Sequence, residues 1–248
     1  MIVRAAAMRS PWLAVGNALA REKIAAMPAL LFDLDGTLVD SVYQHVIAWR
    51  DALESVGIDL PVWKIHRRIG MSGGLFVAAL SRELDRPLER EVLEALPELH
   101  AEAFIRQFDS VRPLPGAVEL LATLGAYDVP WAIATSGSER YARPSLKLLG
   151  LADSTPLITR DQVRYAKPDP DLFLAAAERI GVDVADSVVV GDSVWDLLAA
   201  RRARALGVGL LSGGYGRDEL ISAGAYRVYE DPHELLEHLD EVGVRHQP

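Results

Sequence analysis

Apolar and polar positions run along this chain in two rhythms. Ala29-Leu30-Leu31-Phe32 is a short, wholly apolar run ending on charged Asp33, the pattern of a strand covered on both faces in a parallel sheet. The same texture returns at Val129–Ala134, faintly at Pro156–Thr159, most clearly at Ser187–Val190, and again at Gly207–Leu211 and Tyr226–Tyr229. Helical spacing fills the intervals: Ala117–Leu124, Glu139–Leu149, Pro170–Ile180, Val194–Ala203, Asp218–Ala223, and Pro232 to near Val242. Strands alternating with helices predict an α/β fold built on a doubly wound parallel sheet with right-handed crossovers, a Rossmann-like core.

Between Asp40 and about Val111 the rhythm is different. Val42, Val46, Trp49, Leu53 and Val56 recur at helical spacing, and Gly57 stands where such a helix stops. Further helices are predicted near Val62–Ile69, Gly74–Leu84 and Leu88–Phe108, with no strand pattern among them. The chain therefore divides into a core over residues 28–40 and 112–248 and an inserted all-helical domain over 41–111. Residues 1–27 carry several Arg and no acid before Glu22, yet show no secretory apolar region with a small-residue cleavage site. They read as a dispensable, flexible extension rather than a targeting peptide, with Met8 and Met27 available as alternative starts.

Composition narrows the function classes. At 248 residues, half hydrophobic and a quarter charged, the chain has material for one or two packed domains. With 26 basic and 35 acidic residues the net charge is −9, which argues against nucleic acid and anionic membrane surfaces as partners. The longest apolar run, Ile24 to Phe32 with Pro28 inside it, is far short of the ~20 residues a membrane span needs. The absence of cysteine excludes disulfides, thiolate nucleophiles and Cys-ligated metals, and fits a reducing, cytoplasmic setting.

Ligands of such sheets bind at the carboxyl ends of the strands, near the switch in strand order. The polar residues there are Asp33, Asp35, Gly36 and Thr37 after the first strand, Thr135, Ser136 and Gly137 after the second, and Asp192, Ser193 and Asp196 after the clearest later one, with Lys167 in the loop before the Pro170 helix. Crowded carboxylates repel one another without a cation, and oxygen ligands at strand ends suit Mg²⁺. A carboxylate can attack phosphorus, a second one two residues on can serve as acid and base, and a Thr hydroxyl and a Lys ammonium can hold the transferring group. Bland roles stand beside these: a helix N-cap for Asp192 and Thr135, and a first-turn acid favoured by the helix dipole for Asp196; Arg67 and Arg68 read as a solvated face, with contact to a substrate anion as their alternative. His66, His100, His233, His238 and His246 show no metal-ligand spacing. Ser212–Gly216 lacks the Lys-Ser/Thr ending of a phosphate loop and reads as a flexible loop near the site mouth. Trp49, Trp63 and Trp195 read as packing residues.

The segment Phe32-Asp33-Leu34-Asp35-Gly36-Thr37-Leu38-Val39-Asp40-Ser41 resembles the first motif of the haloacid dehalogenase-like superfamily, on its phosphatase branch. Ala134-Thr135-Ser136-Gly137, Ala166-Lys167-Pro168-Asp169-Pro170 and Gly191-Asp192-Ser193-Val194-Trp195-Asp196 resemble its second, third and fourth motifs, in the expected order. The resemblance covers the chain from Pro28 to the last helix. It implies that Asp33 is the nucleophile and a Mg²⁺ ligand, and that Asp35 is the acid/base whose backbone carbonyl also reaches the metal. Asp192 would be a further ligand, and Asp196 a support for Lys167 or part of the metal site. Residues 41–111 would form a mobile cap over the site. Thr135, Ser136, Gly137 and Lys167 are expected to bind substrate, together with His45 and Ser72 from the cap.

Asp35 sets the chain apart from the dehalogenases, which lack this second Asp. Lys64 is the only cap lysine, so a Schiff-base phosphonate chemistry is weakly supported. His45 and Gly70-Met71-Ser72 resemble the cap of the β-phosphoglucomutase-like members, but the Arg that those carry for a distal phosphate is Gly73 here. The expectation is a Mg²⁺-dependent phosphatase acting on a small phosphorylated metabolite through an aspartyl-phosphate, a monomer being favoured. A sugar-phosphate mutase and a non-catalytic sensor of a phosphorylated ligand are the alternatives.

Overall fold

A computed structural model describes residues 27–83 and 88–245. The expected extension over residues 1–27 lies, apart from Met27, outside the described residues. Six strands form one parallel sheet in the order β5-β4-β1-β6-β7-β8. They are β1 Ala29–Phe32, β4 Trp131–Ala134, β5 Leu157–Ile158, β6 Ser187–Gly191, β7 Leu206–Leu210 and β8 Ala225–Tyr229. Strand β1 lies in the middle, with Leu31 beside Ala132 of β4 on one side and Val189 of β6 on the other. Every residue of β1 and β6 is buried, as near-continuous apolar strands between two helical layers must be. The chain runs outward from β1 through β4 to β5, then returns to β6 on the other side. The order thus reverses at β1, where a doubly wound sheet opens its crevice.

The core helices are α5 Ala117–Ala126, α6 Glu139–Leu148, α7 Asp171–Arg179, α8 Val194–Ala203, α9 Arg217–Ala223 and α10 Pro232–Glu237. One apolar cluster packs Leu30, Phe32, Leu120, Leu124, Ile133 and Val190 on one face of the sheet. Another packs Leu31, Ala134, Leu172, Phe173 and Val189 on the other face. The predicted last helix to Val242 is two pieces: α10 stops at Glu237, and a separate 3₁₀ turn covers Leu239–Val242.

Between β1 and the core helix α5, the described residues form four helices: α1 Val42–Ser55, α2 Val62–His66, α3 Gly73–Glu83 and α4 Arg90–Gln107. The spacing read from Val42, Val46, Trp49 and Leu53 is the buried face of α1. It packs with Ile65, Phe76, Leu80 and Leu96 into a cluster distinct from those of the sheet. Two strands escaped the sequence pattern: β2 Val39–Asp40 and β3 Arg112–Pro113 pair antiparallel at the two ends of the helical insertion. Two residues are too few to show the period-2 alternation that marks a strand.

Candidate active site

Asp33 follows β1 directly and is buried. The Lys167 ammonium, which is wholly buried, bonds Asp33 Oδ1 and lies 2.8 Å from Asp196 Oδ1, so one cation sits between two carboxylates. Asp196 is held in turn by the Ser193 N–H at 3.1 Å and the Ser193 hydroxyl at 2.5 Å, in a capping box that starts α8. Its first-turn role and its site role are therefore the same geometry. Asp192, after β6, accepts from the Thr37 hydroxyl at 3.1 Å. One carboxylate oxygen from each of Asp33, Asp192 and Asp196 falls within 4.8 Å of the others.

Two glycines make room for this cluster. Gly36 turns at φ +83, and a Cβ there would stand 2.6 Å from Asp192 Oδ2. At Gly213 a Cβ would overlap the same carboxylate. The Ser212–Gly216 segment, read from sequence as a flexible loop at the mouth, is instead packed against the site. Ser212 Oγ donates to the Gly36 carbonyl at 2.6 Å, and the Tyr215 ring is buried. His66, given no role in the sequence, bonds the Gly213 carbonyl from the cap at 2.9 Å.

Asp35 points away from the acidic cluster. Its carboxylate accepts from Ser41 Oγ at 2.8 Å and Thr135 Oγ1 at 3.3 Å, and lies 3.2 Å from His45 Nε2. Behind His45, Nδ1 meets His100 Nε2 at 3.1 Å, with the imidazoles flanked by Phe104 and Trp49. Thr135 follows β4, and its hydroxyl accepts the Gly137 N–H at 2.9 Å. Ser136 Oγ is buried without a partner among the described residues.

Burial and charge set the protonation of these groups. Burial works to raise the Asp35 pKa, but the His45 imidazole and the Ser41 hydroxyl outweigh it and hold the carboxyl below its ordinary range. Burial pushes Asp33 and Asp192 up, and the neighbouring carboxylates add to it. Lys167 also loses hydration, yet Asp196 and Asp33 keep its pKa above the usual lysine value. Burial and His45 hold His100 well below the ordinary imidazole range.

A cavity of about 450 Å³ opens over Asp33 and Asp35, lined also by His45, Thr135, Ser136 and Gly137. Seven of the ten residues singled out from sequence thus meet within hydrogen-bond reach of one another or line this cavity as a group: Asp33, Asp35, His45, Thr135, Ser136, Gly137 and Lys167. Asp192 and Asp196 join through the acidic cluster. Ser72 does not line the cavity; its hydroxyl accepts the Leu75 N–H at 3.4 Å in the first turn of α3. His100, Arg140 and Arg160 line the cavity with no sequence motif to announce them, and Arg68, read from sequence as a solvated face, lines it too. Arg67, at the end of α2, does not line the cavity; it pairs with Glu219 of the core and lies 4.3 Å from the Tyr215 ring.

The family model for haloacid dehalogenase-like hydrolases matches residues 27–204, and the chain belongs to that family. Its place is on the branch of phosphoric monoester hydrolases that includes phosphoglycolate phosphatases and β-phosphoglucomutase-like folds. A hydrolase from Pseudomonas syringae, known as a crystal structure, superimposes with a TM-score of 0.86 at 54% identity, covering 88% of this chain and 100% of that one. The phosphoglycolate phosphatase of Neisseria meningitidis is 38% identical over 78% of this chain and 84% of its own length. Hexitol phosphatase A of Escherichia coli is 34% identical over 70% and 78%. Among the described residues, no helix is long and apolar enough to cross a membrane.

Proposed function

We propose that the chain is a Mg²⁺-dependent phosphatase that hydrolyses a small phosphorylated metabolite through an aspartyl-phosphate on Asp33. The observation that supports it best is the convergence of Asp33, Asp35 and Thr135 from separate strand ends onto one cavity, with the buried Lys167 ammonium bonded to Asp33. In the first half-reaction an Asp33 carboxylate oxygen attacks phosphorus, the ester P–O bond breaks, and Asp35 gives the leaving oxygen its proton. In the second, Asp35 takes a proton from water, the water oxygen attacks phosphorus, and the P–O bond to Asp33 breaks to release phosphate. The His45 and Ser41 contacts favour the carboxylate form of Asp35, which this second half needs. Thr135, Ser136 and Gly137 are placed to hold phosphoryl oxygens, and Ser136 Oγ has its hydrogen bonding free for them. Lys167 brings a fixed positive charge to the transferring group.

The donor set fits Mg²⁺. Three buried carboxylates share one ammonium, an excess of negative charge that a divalent cation would neutralise. Asp33, Asp192 and the Asp35 backbone carbonyl would hold the ion, with Asp196 supporting Lys167 beside it. The ion would neutralise charge on the phosphoryl oxygens. Residues 41–111 serve as the cap, His45 reaching the floor from α1, and they shield the intermediate from bulk water. No cation projects from Gly73, which lines the cavity, and this favours hydrolysis over a mutase.

The named relatives act on different esters, so the substrate is found by measuring phosphate release over a panel. The panel spans phosphoglycolate, hexose, hexitol and pentose phosphates, with Mg²⁺ and with EDTA. Metal-dependent release that Asp33→Asn abolishes supports the reading. Release that survives Asp33→Asn, or an isomerised sugar phosphate without free phosphate, overturns it.

A further inference from the structure

Three arginines line the cavity over Asp33, and two are already matched. Arg68 donates to the Lys64 carbonyl at 2.5 Å and pairs with Glu83. Arg140 pairs with Glu98 of α4 across the seam between core and cap. Arg160 differs. Its guanidinium makes no side-chain hydrogen bond among the described residues, and its one acidic neighbour within pairing range is the adjacent Asp161, at 4.0 Å. That carboxylate is already engaged, accepting the Glu139 N–H at 3.0 Å at the head of α6. The remaining acid on the wall, Glu94, is taken by Arg90 at 2.6 Å. Arg160 thus lines the cavity with a planar fork of five donors whose one protein anion, Asp161, stands beside Nε at 4.0 Å without a hydrogen bond.

The backbone under Arg160 is fixed. Its N–H donates to the Gly137 carbonyl at 3.1 Å, tying it to the Thr135–Gly137 turn. The turn Arg160–Gln162 is closed by the Gln162 side chain, whose Oε1 accepts the Thr159 N–H at 3.1 Å. From there the side chain reaches the cap, with Nη1 3.8 Å from where a Cβ on Gly74 would stand. It is half-exposed, at 41%, and so open to a ligand.

We propose that Arg160 is a specificity residue that holds a second anionic group of the substrate. The preferred substrates are then phosphomonoesters bearing a carboxylate or a further phosphate away from the transferred phosphoryl group. A guanidinium matches either group bidentately. The inference rests on the phosphatase reading above and deepens it.

The test compares the wild-type protein, Arg160→Gln and Arg160→Lys on two pairs of esters matched in length. These are phosphoglycolate against 2-hydroxyethyl phosphate, and 6-phosphogluconate against glucitol 6-phosphate. Wild type is expected to prefer the carboxylate member of at least one pair. In Arg160→Gln that preference, as a ratio of kcat/KM, falls about tenfold or more, and the loss sits in KM of the anionic ester. Arg160→Lys recovers part of it. An equal loss on both members of a pair, an unchanged ratio, or wild-type release only from esters with no second anion overturns the assignment while the phosphatase reading stands. Failure of wild type to release phosphate from any ester of the wider panel overturns the phosphatase reading itself.

Discussion

Lys167 carries the heaviest electrostatic duty of any single residue. It is wholly buried between Asp33 and Asp196, with the Phe173 ring 5.1 Å from its nitrogen. Removing one partner of a buried ion pair leaves the others uncompensated, which costs about 3–5 kcal/mol. Lys167→Met should therefore lower stability in urea unfolding by an amount of that order, as well as abolish phosphate release. A variant as stable as wild type would show that the two acids are neutralised by other means. His100 gives a prediction in pH. Its pKa in the folded protein is held well below the ordinary 6.5, so below that value the unfolded chain binds a proton that the native one refuses. Stability must fall as pH drops from about 6.5, by up to about 1.4 kcal/mol per pH unit from this one group. His100→Gln should flatten the difference between unfolding curves at pH 7.5 and 5.5; an unchanged slope would mean that His100 is protonated in the fold. Nothing in the sequence pointed to His100, because its partner His45 lies on another helix and only packing brings them together. Asp33, Asp35 and Asp192 were legible because each stands just past an apolar run, and Lys167 because it precedes Pro168 in the loop before α7.

At the scale of elements, the strands that position the chemistry were the easiest to read. A wholly apolar run such as Ala29–Phe32 has one stable place, between two helical layers. Asp33 and Asp192 come side by side because β1 and β6 are neighbours, an order that the apolar runs by themselves do not specify. Short or irregular pieces were harder. β2 and β3 are held by pairing with each other, and the Ser212–Gly216 loop by contacts with Gly36 and the cap. Neither constraint is local in sequence. This loop carries a prediction of its own. Because a Cβ at Gly213 would overlap the Asp192 carboxylate, Gly213→Ala must push that group out of the acidic cluster. The Mg²⁺ concentration giving half-maximal activity should rise by about tenfold or more, while Gly214→Ala, where the nearest atoms belong to His66 and Tyr43, leaves it closer to wild type. Equal Mg²⁺ requirements in Gly213→Ala and wild type would place the ion away from Asp192.

At the largest scale the described residues form a parallel sheet with the acidic cluster and Lys167 where β1 and β6 end, and a helical cap with its own apolar cluster. Fold class and insertion were both readable, because a change from strand-and-helix alternation to continuous helical spacing survives in a single sequence. The contacts across the seam, Arg67 with Glu219 and Arg140 with Glu98, were not, since each joins residues from separately folded clusters. On the proposed reading a metal held by the acidic cluster would be coupled to global stability: an ion bound only by the folded chain stabilises it by about 2.7 kcal/mol at a hundredfold excess over its Kd. Mg²⁺ should raise Tm in wild type and much less in Asp192→Asn, a readout free of catalysis. The central claim is the covalent role of Asp33. It is tested most directly by mixing Asp35→Asn with Mg²⁺ and 4-nitrophenyl phosphate, whose leaving group needs no proton from Asp35 so that only the second half-reaction is blocked, quenching in acid, and weighing the peptides. A gain of about 80 Da on the peptide containing Asp33, absent in Asp33→Asn, is the result expected of an aspartyl-phosphate. Phosphate release by wild type with that peptide never modified, or with the added mass on another residue, would contradict the account.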